Sequence, residues 1–370
     1  MQLTMNTLDL QNGMSAVTRA LPTRATNPVF EGVLIEAMER DHVTLTTTDE
    51  SWSIEVMIRA DVTELGRMVL PGKLTADIVR SLTGEEVSLS VQDGYQTKIV
   101  SGDSRFNITG REALDFPESA KMDTAIRVDI PQKDLQMMIN YTVGCVATEN
   151  SRPILTGCLL EIEPELARMV ALDGYRLAMK VIHKSFAPEG RDRLKCVIPG
   201  KVTRELSKLL TEEETACSVA YNEKNIRFSF SNIRCTTSVL NGEYIDYERI
   251  LPNEFKTETV TGTADLVSAV NRAGLIAREG RNKIIRMRIS ENDMTVFARS
   301  DGGDVEVRLD VATDGDNIEI AFNERYMTEL LRNVTDDKLR LSMNSNVSPC
   351  VITPVEGDSF YYLILPVRVM

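Results

Sequence analysis

VLPGKLTADIVRSLTGEEVSLS at residues 69–90 and VIPGKVTRELSKLLTEEETACS at residues 197–218 align without a gap, at an offset of 128 from Pro71 to Pro199. IAFNERYMTELLRNVTDDKLRLS at residues 320–342 aligns with both, a further 124 residues on from Thr211 to Thr335. Two more markers keep their order around these segments. Asp9-Leu10, Asp134-Leu135 and Asp265-Leu266 each open a helical pattern. A strand–turn–strand then follows in VTLTTTDESWSIEV (43–56), MVALDGYRLAMKV (169–181) and MTVFARSDGGDVEV (294–307), turning at Asp49, Asp173 and Asp301. Three markers in one order, three times over, make the chain three diverged copies of one unit of roughly 125 residues.

Within each copy the pattern runs strand, helix, several strands, helix, more strands. Alternating apolar residues mark the strands, as in CLLEIEPEL (158–166) and IRFSFSNIRCTTSVL (226–240). Antiparallel hairpins with two helices per copy predict an α+β class, helices packed on one sheet face. ALDFPESAKMD (113–123) and ERILPNEFKTE (248–258) are rich in Pro and charge and read as linkers. The expected domains are therefore 1–121, 122–254 and 255–370.

The aligned helices carry the functional signal. Lys73, Lys201 and Arg325 share one register position, and Arg80, Lys208 and Arg332 share another seven residues later. Two turns apart, both positions fall on one helix face. The opposite face is expected to be apolar: Leu74, Ile78 and Leu82; Val202, Leu206 and Leu210; Tyr326, Leu330 and Val334. Arg204 sits near the basic face of its helix, and Arg24, Arg272 and Arg281 are further cations without matches in the other copies. One basic helix face is ordinary for a solvated helix. Three matching ones in a chain of net charge −13 are not, and they suit a surface that meets phosphates without reading sequence.

The remaining composition excludes more than it suggests. The acidic balance rules out an all-over basic nucleic-acid surface but leaves room for a basic stripe. No apolar run approaches a membrane span, and the N-terminus lacks the basic-then-apolar pattern of a secretory signal. Cys145, Cys158, Cys196, Cys217, Cys235 and Cys350 are widely spaced, which fits reduced thiols in a cytoplasm better than disulfides or zinc. With only His42 and His183, and no phosphate-binding glycine loop or zinc-helix motif, no catalytic, metal or cofactor set emerges. That weighs against an enzyme with a site between domains. The repeated basic pairs weigh against a peptide scaffold that never meets DNA.

Four further stretches carry a resemblance across the whole chain: Leu155-Thr156-Gly157; Asp173-Gly174-Tyr175-Arg176-Leu177-Ala178; Asp246-Tyr247-Glu248-Arg249-Ile250-Leu251-Pro252; and Leu363-Ile364-Leu365-Pro366-Val367-Arg368. With the three-copy plan, the chain resembles the bacterial DNA polymerase sliding clamps, or β-clamps. The resemblance implies a head-to-tail homodimer whose six domains close around duplex DNA, helices lining the hole. Its implied partners are double-stranded DNA, the replicative polymerase catalytic subunit, the clamp-loader ATPase and other proteins bearing a clamp motif. It implies no cofactor.

The same resemblance implies a pocket between copies 2 and 3 for short peptide motifs. Carried over by position, it comprises Leu155, Leu172, Gly174, Tyr175, Arg176, Leu177, Ile245, Arg249, Ile250, Asn323, Tyr326, Val347 and the run Leu363, Ile364, Leu365, Pro366, Val367 and Arg368. Aliphatic walls with one or two arginines suit an aliphatic–aromatic anchor. Core or strand packing is the other reading of each residue. The implied dimer contact sets Phe106 and Ile108 against Leu275 and Ile276, with core packing again the alternative. Three positions depart from some relatives: Asn282 for a phenylalanine, Tyr175 for a histidine and Ile245 for a proline. They are expected to shift peptide preference.

Overall fold

The computed structural model describes residues 1–22, 24–25, 27–122, 125–149, 151–189 and 193–368. Among them are six α-helices, two per copy: α1 (Thr7–Val17), α2 (Gly72–Ser81), α3 (Gln132–Thr142), α4 (Gly200–Ser207), α5 (Thr263–Glu279) and α6 (Glu324–Leu331). The α+β class holds, and every strand pair is antiparallel.

The chain forms two compact units, residues 1–132 with 208–239 and residues 133–207 with 240–370, so the middle copy contributes to both. In the first unit one path of strands runs Ser104–Thr109, Gln96–Ser101, Glu86–Val91, Gln2–Asn6, Trp52–Glu64, Ile233–Ser238, Asn225–Phe230, Ala216–Tyr221, Ile126–Pro131. The thirteen-residue strand Trp52–Glu64 joins the copies. Its alternate residues Trp52, Ile54, Val56, Ile58, Ala60 and Val62 are buried, while its N-terminal half pairs with Ile233–Ser238 of the middle copy.

The second unit repeats the device. Its nine-stranded sheet runs Leu194–Pro199, Gly157–Glu163, Leu166–Leu172, Arg176–His183, Phe360–Ile364, Cys350–Pro354, Lys338–Met343, Thr257–Gly262, Ala312–Gly315. Arg176–His183 of the middle copy pairs with the C-terminal strand in the register Arg176↔Ile364, Leu177↔Leu363 through Lys180↔Phe360. A four-stranded sheet, Gly303–Asp310, Asp293–Ser300, Ile284–Ile289 and Ile318–Asn323, receives α5. That helix buries Leu266, Ala269, Val270, Ala273 and Ala277, the three-and-four spacing of one helical face. Gly274 lets α6 approach it, because a Cβ there would stand 2.8 Å from Glu324 Oε1.

The first linker segment is packed, not loose. Phe116 is buried with Val29, Leu34, Val69 and Ala113, and Tyr244 and Tyr247 are buried in the core of the second unit. The helix faces need a correction. Ile78, Leu82, Val202, Leu206, Leu210 and Leu330 are buried as expected, but Leu74 is 49% exposed and Tyr326 and Val334 are only half-buried. The buried face of α2 is Gly72, Thr75, Ile78 and Val79, and that of α6 includes Met327 and Leu331. In both helices the apolar stripe lies further round than a count from the basic residues places it.

Candidate functional site

The turn Asp173–Arg176 organises the second unit's exposed apolar surface. Asp173 Oδ1 accepts from the N–H of Tyr175 at 2.9 Å and of Arg176 at 3.0 Å, and Gly174 supplies the positive φ of 92° that the turn requires. The C-terminal run then ties three elements together. Ile364 pairs with Arg176, the Leu365 N–H donates to Tyr175 O at 2.9 Å, and the Val367 N–H donates to Ala321 O at 2.8 Å in the strand leading into α6. Asn323 caps that helix, accepting from the Tyr326 N–H at 3.3 Å.

Arg176 is a strut within this arrangement. Its side chain is buried, with Nε donating to Asp173 Oδ2 at 3.0 Å, Nη2 donating to Gly144 O at 2.6 Å and Nη1 2.7 Å from Glu329 Oε2. The guanidinium also lies 4.4 Å from the centroid of the Tyr326 ring, which in turn sits 6.1 Å from the Tyr175 ring. Burial works to raise the Glu329 carboxyl, but Arg325 and Arg176 outweigh it and hold that carboxyl below its ordinary value.

The remaining pocket residues divide by exposure. Leu155, Leu172, Leu177 and Leu363 form one buried cluster with Leu159, Val170, Val197, Tyr244 and Tyr247, and Ile245 packs against it. They form the core on either side of the Asp173–Arg176 turn. Among the described residues eleven large hydrophobic side chains are exposed, and four of them are Tyr175, Ile250, Val347 and Leu365. Tyr175 and Leu365 are adjacent, joined through the Leu365 N–H, and an exposed apolar pair of this kind is a candidate interaction surface. Pro366 is half-buried and Arg368 exposed. Arg249 pairs with Asp246 at 2.8 Å on the surface, away from the Arg176 network. Val347 lies three residues before Cys350–Pro354, the strand beside the C-terminal one.

The sequence alone did not reveal Asp173, Glu329 and Gly144 as partners of Arg176, or Tyr244 and Tyr247 as members of the buried cluster. Tyr247 donates its hydroxyl to Glu161 Oε2 at 2.7 Å, tying the residue just before the second linker to the sheet. The Asp-Gly-Tyr-Arg and Asp-Tyr motifs contained part of this signal.

Comparison with known proteins converges on one family. Models of the DNA polymerase III beta subunit match in chain order: the N-terminal domain over residues 1–120, the central domain over 129–246 and the C-terminal domain over 248–368. The chain belongs to the DNA polymerase III beta subunit family. It is 29% identical over 367 residues to the beta sliding clamp of Staphylococcus epidermidis, covering 96% of each chain. Its fold matches the DNA polymerase sliding clamp of Bacillus subtilis with a TM-score of 0.94 at 28% identity, and the DNA polymerase III beta subunit of Pseudomonas aeruginosa with 0.92 at 26%, both over 100% of either chain.

In this beta subunit Arg24, Lys73, Arg80, Lys201, Arg204, Lys208, Arg272, Arg281, Arg325 and Arg332 are all exposed. Their settings differ. Arg80 pairs with Asp77 at 2.9 Å and Arg325 with Glu329 at 2.8 Å, both on their own helices. Lys208 falls in the turn after α4, and Arg332 caps the end of α6. Arg24 and Arg281 lie in loops, and Arg272 lies on α5.

The four dimer positions sit at sheet edges or on one helix. Phe106 and Ile108 belong to Ser104–Thr109, the end strand of the first unit's sheet. Ile108 is buried in its own copy and Phe106 is half-buried. Leu275 is 64% exposed on α5, and Ile276 beside it is half-buried. The helix lies over Gly303–Asp310, the end strand of the four-stranded sheet.

No helix among the described residues is long and apolar enough to cross a membrane. All six cysteines are free and buried, and burial pushes the thiols of Cys158, Cys217 and Cys350 up to about 12, leaving them unreactive. Glu39, Asp41 and His42 gather at an exposed hairpin, where His42 Nδ1 and Asp41 Oδ1 are hydrogen-bonded at 2.8 Å.

Proposed function

We propose that this DNA sliding clamp, a processivity factor for DNA polymerase III, holds its partners on the surface around Tyr175, Ile250, Val347 and Leu365. The observation carrying this is the exposed pair Tyr175 and Leu365 on the turn and strand whose neighbours Leu172, Leu177 and Leu363 are buried in one cluster with Leu155. An aliphatic residue followed by Leu-Phe suits that surface, with roughly micromolar affinity, about −8 kcal/mol. Arg176 acts indirectly, by fixing the turn and the Tyr326 ring that border it.

The three clamp domains are taken as 1–121, 122–254 and 255–370. Two copies of the chain close head to tail, the edge strand Ser104–Thr109 of one meeting Gly303–Asp310 and the Leu275–Ile276 face of the other. Supporting this, both strands are sheet ends, and they differ in charge: Arg105 on one, and on the other Asp304, Glu306 and Asp310 against a single Arg308. The ten exposed cations are assigned to the duplex, contacting phosphates without base readout. The protein works in the cytoplasm as a binding accessory without catalysis of its own.

Retention on nicked circular DNA, compared with the same DNA linearised, tests the reading. After loading, the clamp should remain on the circle and leave the linear form by its ends. Changing Lys73, Arg80, Lys201, Lys208, Arg325 and Arg332 to Glu should abolish loading while the dimer persists. Equal retention on both DNA forms would reject encirclement.

A further inference from the structure

Each copy closes with the same backbone tie to the strand before its second helix. The Arg111 N–H donates to Val69 O at 2.8 Å, the Leu240 N–H to Val197 O at 2.9 Å and the Val367 N–H to Ala321 O at 2.8 Å. Val69, Val197 and Ala321 pair in turn with Leu34, Leu159 and Arg286. Just past the tie in copies 1 and 2, the chain folds an aromatic residue onto that sheet face. Phe116 is buried with Val29, Leu34 and Val69, and Tyr244 with Leu155, Leu159, Val170, Leu172 and Val197. Both rings come in one setting, Asp115-Phe116-Pro117-Glu118 and Glu243-Tyr244-Ile245-Asp246: acid, aromatic, one residue, acid.

In copy 3 the equivalent seat is open. Arg286 stands where Leu34 and Leu159 stand, and its cross-strand partner Phe297 stands where Thr46 and Val170 do. Arg299, two residues on and so on the same face, takes the place of Thr48 and Leu172. A cavity of about 860 Å³ lies here, lined by Lys283, Arg286, Phe297 and Arg299 among others. Phe297 is half-buried, with the Arg288 guanidinium 4.9 Å from its ring centre. Arg286 shares Glu319 with Arg288, at 3.5 Å against 3.0 Å. Lys283 and Arg299 are exposed and make no ion pair among the described residues. Asp301, Asp304 and Glu306 line the far side, from a turn and the end strand, while the side of residues 281–286 is cationic. Arg281 on that side is one of the cations assigned to the duplex.

The seat keeps its position and changes its lining from aliphatic to cationic. A ring placed there would meet Phe297 and the Arg286 guanidinium. Carboxylates flanking the ring would accept from Lys283 and Arg299 in charge-assisted hydrogen bonds. We propose that this cavity is a docking seat for a partner protein, taking an extended segment in which acids flank an aromatic residue. A second copy of the chain does not supply that segment, because its Phe116 and Tyr244 are already buried in their own copies. Neither Tyr175 nor Leu365 lines the cavity, so the seat is distinct from the apolar surface.

The probe is an acetylated, amidated peptide ALDFPESA, the sequence at 113–120, with a fluorinated phenylalanine as its ring. Its ¹⁹F resonance would be followed as full-length protein is added, and it should broaden saturably. An unlabelled copy should displace it. Copies with Ala for the ring, or with Asn and Gln for the two acids, should need about tenfold more, as expected when hydrogen bonds to charged groups are lost. Lys283→Glu with Arg299→Glu should weaken the probe by about the same factor or more. Thermal midpoint and aliphatic–Leu-Phe binding should not change in that variant, since both side chains are exposed. Absence of a saturable response overturns the proposal, as does equal binding by the double variant. Equal competition by the Ala copy would mark a bare anion site, and displacement by oligothymidylate at lower concentration would mark a nucleic-acid site; either overturns it. So does binding confined to the Leu275→Asp, Ile276→Asp protein, since a second copy would then cover the seat.

Discussion

Replacing Arg176 with Met tests whether this arginine is a strut or a peptide contact. The substitution keeps an apolar stem of similar length and removes the guanidinium. Asp173 Oδ2 loses its 3.0 Å donor, Gly144 O loses its 2.6 Å donor, and Glu329 loses the charge 2.7 Å away while keeping Arg325. Breaking a buried ion pair from one side costs about 3–5 kcal/mol. Glu329 is 31% exposed and still paired, so the low end, about 3 kcal/mol, applies. With a urea slope of about 3 kcal/mol per molar, the unfolding midpoint should fall by about 1 M. Peptide affinity should drop at least tenfold in the same variant, because the Tyr326 ring loses the cation 4.4 Å from its centre. Arg176→Lys should rescue little, since one ammonium cannot reach three acceptors set around a planar fork. Peptide binding lost with an unchanged urea midpoint would refute the reasoning and make Arg176 a direct contact.

Three other outcomes follow from the same geometry. Leu275→Asp with Ile276→Asp should give folded monomers by light scattering at micromolar concentration, since Leu275 already lies outside the core; a dimer of unchanged stability would displace the interface. Tyr175→Ala with Leu365→Ala should weaken an aliphatic–Leu-Phe peptide by about 1–3 kcal/mol per side chain in calorimetry, with little change in thermal midpoint because both are exposed. Glu329, whose carboxyl is held below its ordinary 4.5, contributes stability that is complete above that value and is lost as pH falls through its lowered folded value. Thermal midpoints between pH 7 and pH 3 should therefore fall less steeply in Glu329→Gln than in the parent.

The three-copy plan was legible because it leaves a repeat in sequence, and the basic helix positions because residues seven apart share a face whatever covers the opposite one. Burial was less legible. Leu74 occupies the register of Val202, yet Leu74 is exposed and Val202 is 2% exposed. Helical periodicity places a residue on a face but does not say which neighbouring segment covers it. Arg176 shows the same limit for charge. Its position in a conspicuous motif suggested a ligand contact, but its partners Gly144 and Glu329 come from a short turn and a helix that only the fold brings together. Ile108 alternates in a strand as an interface residue would, and is buried within its own copy. In each case the residue type was visible and the partner was not.

The copies diverge unevenly, and the unevenness is informative. Lys73, Lys201 and Arg325 are all exposed, so no packing demand of the core holds a cation at that position in three places. A shared surface requirement would, and the proposed contact with a duplex of uniform phosphates would supply it. The junction turns behave oppositely. Asp49 and Asp173 keep the same backbone hydrogen bonds, while the side chains they present change from Ser51 and Ser238 to Tyr175 and Leu365. A backbone frame fixed by hydrogen bonds can carry different side chains at little cost to the fold, because those positions point out of the sheet core. The cations at the matched helix positions are thus kept in all three copies, while the side chains that the junction turns present differ.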